Sequence, residues 1–179
     1  MSGLILPYGN SMPRVAGNAF IAPNATLVGD VEIGAETSIW FQCVLRGDDQ
    51  EIRVGSRTNI QDGTVVHVAS QTQGCYIGDD VTIGHMALIH ACTLEDGCFV
   101  GMKATVMDLA VVESGAIVAA GALVPPGKIV KSGQLWAGTP ARMVRELTDS
   151  DLELIHQVAP HYVNLAESYR LQMARSEET

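Results

Sequence analysis

The stretch Tyr76–Val106 reads YIGDDVTIGHMALIHACTLEDGCFVGMKATV, and its aliphatic residues fall six apart: Ile77, Ile83 and Ile89, then, after one short step, Leu94, Val100 and Val106. The row runs on through Val112, Val118, Val124 and Val130 and ends at Trp136. Upstream the same register holds at Ile33, Ile39 and Leu45, and resumes at Val54, Ile60 and Val66. Glycine often follows the aliphatic residue, as at Gly34, Gly55, Gly78, Gly84 and Gly101. A helix would repeat its apolar residues every 3.6 positions, and six does not fit that period. A short strand plus a tight turn does fit. Three such units close one triangular coil, and successive coils stack as parallel strands roughly 4.8 Å apart.

Parallel crossovers are right-handed as a rule, so periodicity alone does not give the hand of the coil. The [LIV]-G-x-x-x-x pattern resembles the hexapeptide-repeat superfamily, whose coils are left-handed. The resemblance implies a mainly β chain: a left-handed parallel β-helix followed by a C-terminal α-helix. The expected organisation is an N-terminal extension at 1–14, the β-helix at 15–140, and a C-terminal helix and tail at 141–179.

Two insertions break the register. Three extra residues lie within Gly47–Glu51 and five within Ala69–Gly74, and both are expected to form loops on one side of the solenoid. After the turn Trp136–Arg142, Thr148-Asp149-Ser150-Asp151 reads as a helix start with an acid three residues past Thr148. Leu152, Ile155, Val158, Tyr162, Leu165 and Tyr169 then mark one helix face. Pro160 is expected to kink or split that helix, and Ser176–Thr179 to be a loose tail.

Composition narrows the partners. Of 179 residues 47% are hydrophobic and only 5% aromatic, which suits thin repetitive layers over a large irregular core. A net charge of -9 disfavours nucleic acid and anionic membranes as partners. No apolar run approaches the roughly 20 residues that span a bilayer. Met1–Gly9 lacks the charged and apolar regions of a signal peptide, so a cytoplasmic location is expected. Cys43, Cys75, Cys92 and Cys98 form no C-x-x-C pair, and are read as reduced, partly buried thiols.

The chemistry gathers in the middle coils. Let side A begin at Ile33, Val54 and Ile77, side B at Ile39, Ile60 and Ile83, and side C at Leu45, Val66 and Ile89. His67 and His90 each follow the aliphatic residue of side C in adjacent coils, so they stack and point the same way. His85 lies two residues past Ile83 on side B, around a corner, and cannot readily join them within one chain. In a threefold trimer, side C of one subunit can face side B of the next. Three imidazoles with one open position then form a tetrahedral catalytic metal site. Arg46 sits one coil below His67 and Asp62 one coil below His85, so the two would pair across the contact. Gln61 would point toward the metal's solvent ligand, with Asn59 beside it.

Arg46-Gly47-Asp48, Asn59-Ile60-Gln61-Asp62-Gly63, Val66-His67, Gly84-His85, Ile89-His90, Gly101-Met102 and Gly138-Thr139-Pro140-Ala141-Arg142 resemble the γ-class carbonic anhydrases in order and spacing. The resemblance implies that His67, His85 and His90 bind zinc, with ferrous iron or cobalt as alternatives, in sites shared between subunits of a homotrimer. It implies reversible hydration of carbon dioxide to bicarbonate by a metal-bound hydroxide. Arg46 and Asp62 would be the interface pair, and Gln61 and Asp48 would orient the bound solvent or exchange its proton. Tyr162 is a candidate to project into the site from the helix. The best-known members carry a long acidic loop after the first ligand. Here Val68–Gly74 is short and holds no carboxylate, as in a shorter subclass whose members do not all show hydratase activity.

The same residues admit blander readings. His156 and His161 belong to the helix and are read as structural or exposed, and Cys92 as a packed thiol, not a ligand. A second function remains open: a metal-cemented trimer without hydratase activity that binds a protein partner. A third is an acyl-CoA-dependent acyltransferase on the same coil, whose relatives lack this three-histidine set.

Overall fold

The computed structural model describes residues 3–177, with side chains as far as residue 175, so the tail side chains and the ends of the chain lie outside the described residues. Inward rows of Ile, Leu and Val close a left-handed parallel β-helix of about seven coils, followed by one C-terminal helix. Side B forms one sheet of short strands stacked in the order Phe20–Ile21, Ser38–Ile39, Asn59–Ile60, Thr82–Ile83, Phe99–Val100, Ile117–Val118 and Gln134–Gly138. Sides A and C join in a second sheet, because the strands Thr26–Ile33 and Val44–Val54 bend around the corner between them. Leu45, Val66, Ile89, Val106 and Val124 of side C are all fully buried, as are Ile39, Ile60, Ile83, Val100 and Val118 of side B. Each such aliphatic side chain contributes about 1.5–3 kcal/mol of burial.

Two backbone rules explain the composition of each six-residue unit. The residue three past the aliphatic one turns the corner at positive φ: Glu36, Arg57, Asp80 and Gly97 between sides A and B, and Gln42, Gly63, Met86, Lys103 and Gly121 between B and C. Where glycine follows the aliphatic residue, at Gly34, Gly55, Gly78, Gly84 and Gly101, it lies against the next coil's backbone. A Cβ at Gly101 would sit 2.4 Å from the Ala120 nitrogen, which is why small residues recur there.

The insertions behave differently. Ala69–Gly74 leaves the coil as a small loop closed by the antiparallel bridge of Ala69 and Gln73. The Gly47–Glu51 insertion does not become a free loop. It swells one continuous strand, Val44–Val54, whose pairing with Thr26–Ile33 slips between Gly47 and Ile52 opposite the single residue Asp30. The preceding coil offers a strand long enough to hold it on both flanks.

The coil ends where Ala141–Glu146 turns back antiparallel on Gln134–Gly138. The helix then spans Asp149–Glu177. Thr148 caps it as the sequence suggests: its N–H donates to Asp151 Oδ2 at 2.7 Å, and its Oγ1 accepts from the Asp151 N–H at 3.4 Å. Pro160 neither ends nor splits the helix. Pro160 is exposed, as is His156 one turn back, whose carbonyl loses its N–H partner to the proline. The helix lies along side B, where Tyr162 and Tyr169 pack edge-on against Trp40 with ring centroids 5.5 and 5.2 Å away. His161 is exposed beside Tyr162. Among the described residues no helix is long and apolar enough to cross a membrane.

Candidate functional site

Strand register places the side C residues as the repeat requires. Arg46 pairs with His67 across adjacent strands, and His67 pairs with His90 in the next. Each follows a buried aliphatic residue, so each points outward. His67 Nδ1 and His90 Nε2 face each other at 3.2 Å. Each ring has a carboxylate on its other nitrogen. Asp48 Oδ1 lies 3.1 Å from His67 Nε2, and Asp108 Oδ1 lies 2.7 Å from His90 Nδ1. Arg46 also binds Asp48. Burial opposes ionisation of Asp48, but hydrogen bonds from Arg46 and His67 outweigh it and hold the carboxyl below its usual range.

Side B and its corner carry the other residues. Asp62 Oδ2 lies 2.9 Å from His85 Nδ1, and the His85 side chain is 36% exposed. Gln61 Nε2 donates to Asn59 Oδ1 at 3.0 Å, and Asn59 Nδ2 donates to Thr82 Oγ1 at 2.9 Å. Both amides are buried, Asn59 fully. Tyr162 is half-buried; burial first, and then the negative charge of Asp62, push its phenol above the ordinary value. The chain therefore carries two half-sites. Arg46, Asp48, His67, His90 and Asp108 lie on side C; Asn59, Gln61, Asp62 and His85 lie on side B and the corner toward C, with Tyr162 of the helix packed over them. Within one chain Arg46 takes Asp48 and Asp62 takes His85 as partner.

The donor set fits a metal such as zinc. Zinc–nitrogen bonds of about 2.0–2.1 Å at a tetrahedral angle hold two ligand nitrogens about 3.3 Å apart. The 3.2 Å between His67 Nδ1 and His90 Nε2 is close to that span. Neutral imidazoles, each hydrogen-bonded to a carboxylate through its second nitrogen, are the usual form of such ligands. Among the described residues no three His, Cys, Asp or Glu side chains of one chain gather to hold an ion.

Sequence reasoning missed Asp108, which meets His90 from the coil above. A plain register count from His90 reaches Met107, because Ile89 pairs with Val106; only the five-residue step from Ile89 to Leu94 hints at the shift that brings Asp108 there. Cys92, two residues past His90, points into the core and is fully buried.

Fold and site together define a hexapeptide-repeat protein with an outward histidine pair, each ring hydrogen-bonded to a carboxylate. No protein-family model matches the chain. It is 49% identical over 171 residues to γ carbonic anhydrase 2, mitochondrial, of Arabidopsis thaliana, across 93% of this chain and 62% of that protein. A carbonic anhydrase of Geobacillus kaustophilus is 41% identical over 174 residues, across 97% of this chain and 95% of that one. The solved structure of a hexapeptide transferase family protein from Anaplasma phagocytophilum matches with a TM-score of 0.89 at 49% identity, covering 93% of this chain and 98% of that one. The chain spans less than two thirds of the length of the plant relatives it matches, 62% and 61% for two of them. It belongs to the γ-carbonic-anhydrase-like family of hexapeptide-repeat proteins.

Proposed function

We propose that this chain is a carbon-dioxide-hydrating lyase whose metal sites form between subunits of a homotrimer. The observation that carries the reading is the pair His67 and His90, spaced at 3.2 Å as two ligands of one ion would be, with His85 outward on another corner of the same chain. The surfaces around the half-sites support an interface. Val65 and Leu88 flank the pair on side C, and Met86 and Met102 flank His85 at its corner, all large apolar side chains left exposed in the single chain. In the assembly His67 and His90 of one subunit and His85 of the next would hold zinc, or ferrous iron or cobalt in its place. Such an ion supplies Lewis acidity that brings a water ligand's pKa toward neutrality.

This chain's own residues do the rest. Asp48 and Asp62 orient their histidines. Gln61, buried in the single chain and fixed through Asn59, would orient the solvent ligand of the shared site. Arg46, freed from Asp48, reaches Asp62 across the contact. Four unpaired, buried cysteines suit a reducing compartment, and the cytoplasm is the location we assign.

The decisive experiment is stopped-flow carbon dioxide hydration on metal-replete protein, with His85→Ala, His90→Ala and a co-refolded mixture of the two. Each variant alone should lose activity and bound metal. The mixture should regain part of both, because an interface between the two variants again holds all three imidazoles. No recovery in the mixture would sink the shared site. A second reading rests on the loop Val68–Gly74, which holds no carboxylate to carry protons away. It keeps the metal and the trimer but makes the assembly a protein-binding module, and stoichiometric metal without hydration would favour it.

A further inference from the structure

We propose that Asp108 is a positioning residue: it holds His90 as the Nδ1–H tautomer and aims Nε2 toward His67. This inference rests on the reading of His90 as a metal ligand. The geometry comes from one missing residue. From Val106 to Val112 the chain takes six residues to pass the corner between sides C and A, but from Ile89 to Leu94 it takes five. The two coils therefore align in one register along the strand and in another at the corner. On the strand Ile89 pairs with Val106, which would set His90 opposite Met107. At the corner Leu109 stacks on Ala91: both turn at positive φ, and the Leu109 N–H donates to the Ala91 carbonyl at 2.7 Å. Counting back from that pair sets Asp108 over His90, and its Oδ1 meets His90 Nδ1 at 2.7 Å.

The Asp108 backbone is itself pinned, because its carbonyl accepts from the Gly127 N–H at 2.8 Å in the coil above. A carboxylate on a fixed backbone can only accept, so it selects the tautomer that bears hydrogen on Nδ1. The lone pair is then left on Nε2, the nitrogen that faces His67 at 3.2 Å. Without Asp108 both tautomers and both ring flips open to His90, and a metal must select one.

The test compares the wild type with Asp108→Ala and Asp108→Asn, all checked for coil content by circular dichroism. Nitrogen-15 long-range NMR on metal-free, histidine-labelled protein above pH 7.5 reads the His90 tautomer. Competition with a chromophoric chelator reads zinc affinity. In the wild type His90 should show hydrogen on Nδ1. In Asp108→Ala it should become a mixture, with zinc affinity lower on the order of 10–100-fold. Asp108→Asn keeps an acceptor oxygen and should restore the tautomer and most of the affinity. An unchanged tautomer in Asp108→Ala overturns the proposal even if activity falls. Wild-type protein that takes up no zinc brings down the metal reading, and this inference with it. Normal zinc uptake by both wild type and Asp108→Ala brings down the positioning role alone.

Discussion

Gly84→Ala tests the stacking rule directly, and at the corner that carries His85. The added methyl would lie 2.6 Å from the Met102 nitrogen, 2.9 Å from the Gly101 carbonyl carbon and 3.0 Å from the Met102 Cα. All three are backbone atoms of the next coil, so no side chain can swing aside. Ordinary contact of a Cβ begins at 3.4 Å, and the coils must part by about 0.8 Å at this corner. The Gly84 N–H donates to the Val100 carbonyl at 2.8 Å, and the Lys103 N–H to the His85 carbonyl at 2.8 Å. Stretched by that amount, both bonds would reach about 3.6 Å and leave hydrogen-bonding range. Overpacking of about 1–3 kcal/mol and two weakened bonds of about 0.5 kcal/mol each give a loss on the order of 2–4 kcal/mol. Gly17→Ala is the control, since nothing lies within 4 Å of its Cβ position and its φ needs no glycine. There the smaller entropy of the unfolded chain should leave stability equal or raised by about 0.4–1 kcal/mol. Calorimetry at equal protomer concentration should show Tm lowered by roughly 5–15 °C for Gly84→Ala and not for Gly17→Ala. Equal Tm values for Gly84→Ala and wild type would refute the close-stacking argument.

Two further outcomes follow from burial and capping. Burial pushes the Cys43 thiol up to about 12 from an ordinary value of 9.0. The folded state then holds this proton more tightly than the unfolded chain. Its contribution to stability is complete below pH 9 and is lost as pH rises toward 12, by up to about 1.4 kcal/mol per pH unit. Urea midpoints from pH 8 to 10.5 should fall more steeply for wild type than for Cys43→Ala, and equal slopes would count against it. Thr148→Ala removes the hydroxyl that accepts from the Asp151 N–H and donates to Asp151 Oδ2, leaving only the backbone N–H bond to that carboxylate, and should cost about 1 kcal/mol in the same urea assay. A midpoint unchanged by Thr148→Ala would mean that the helix is held by its aromatic face on Trp40 alone.

The repeat was legible because each coil side places a large inward aliphatic residue at one fixed position per unit, with a second buried residue such as Val81, Ala87 or Ala104 two positions before it. Once Ile77, Ile83 and Ile89 fix the period, the sides and the outward direction of His67 and His90 follow by counting, and pairing of His67 with His90 bears this out. Counting fails where neighbouring coils differ in length, because the sequence states how many residues are added and not which strand absorbs them. Gly47–Glu51 shows this: the long strand Thr26–Ile33 in the coil below keeps the added residues within a strand. Pro160 shows the same limit for the helix, since its cost depends on which face its lost hydrogen bond meets, and that face is set by side B packing.

Asp108 shows why the site was legible only in part. The three histidines announce themselves by type, but an aspartate two residues past Val106 looks like any turn residue on an acidic surface. Its meaning lies in the residue that is absent between His90 and Leu94, which shifts the corner register by one and brings a carboxylate onto the ring. The same coil then gives each histidine a carboxylate of its own: Asp48 for His67, Asp62 for His85 and Asp108 for His90. On the proposed function the three oriented imidazoles would be useless to one chain, because the corner between sides B and C keeps His85 from the pair. A rigid β-helix cannot fold that corner away, so on that reading the chemistry of the site and the association of subunits would be a single requirement. A variant that keeps the coil but blocks assembly, such as Leu88→Arg on side C, should therefore lose tight metal binding without losing its fold.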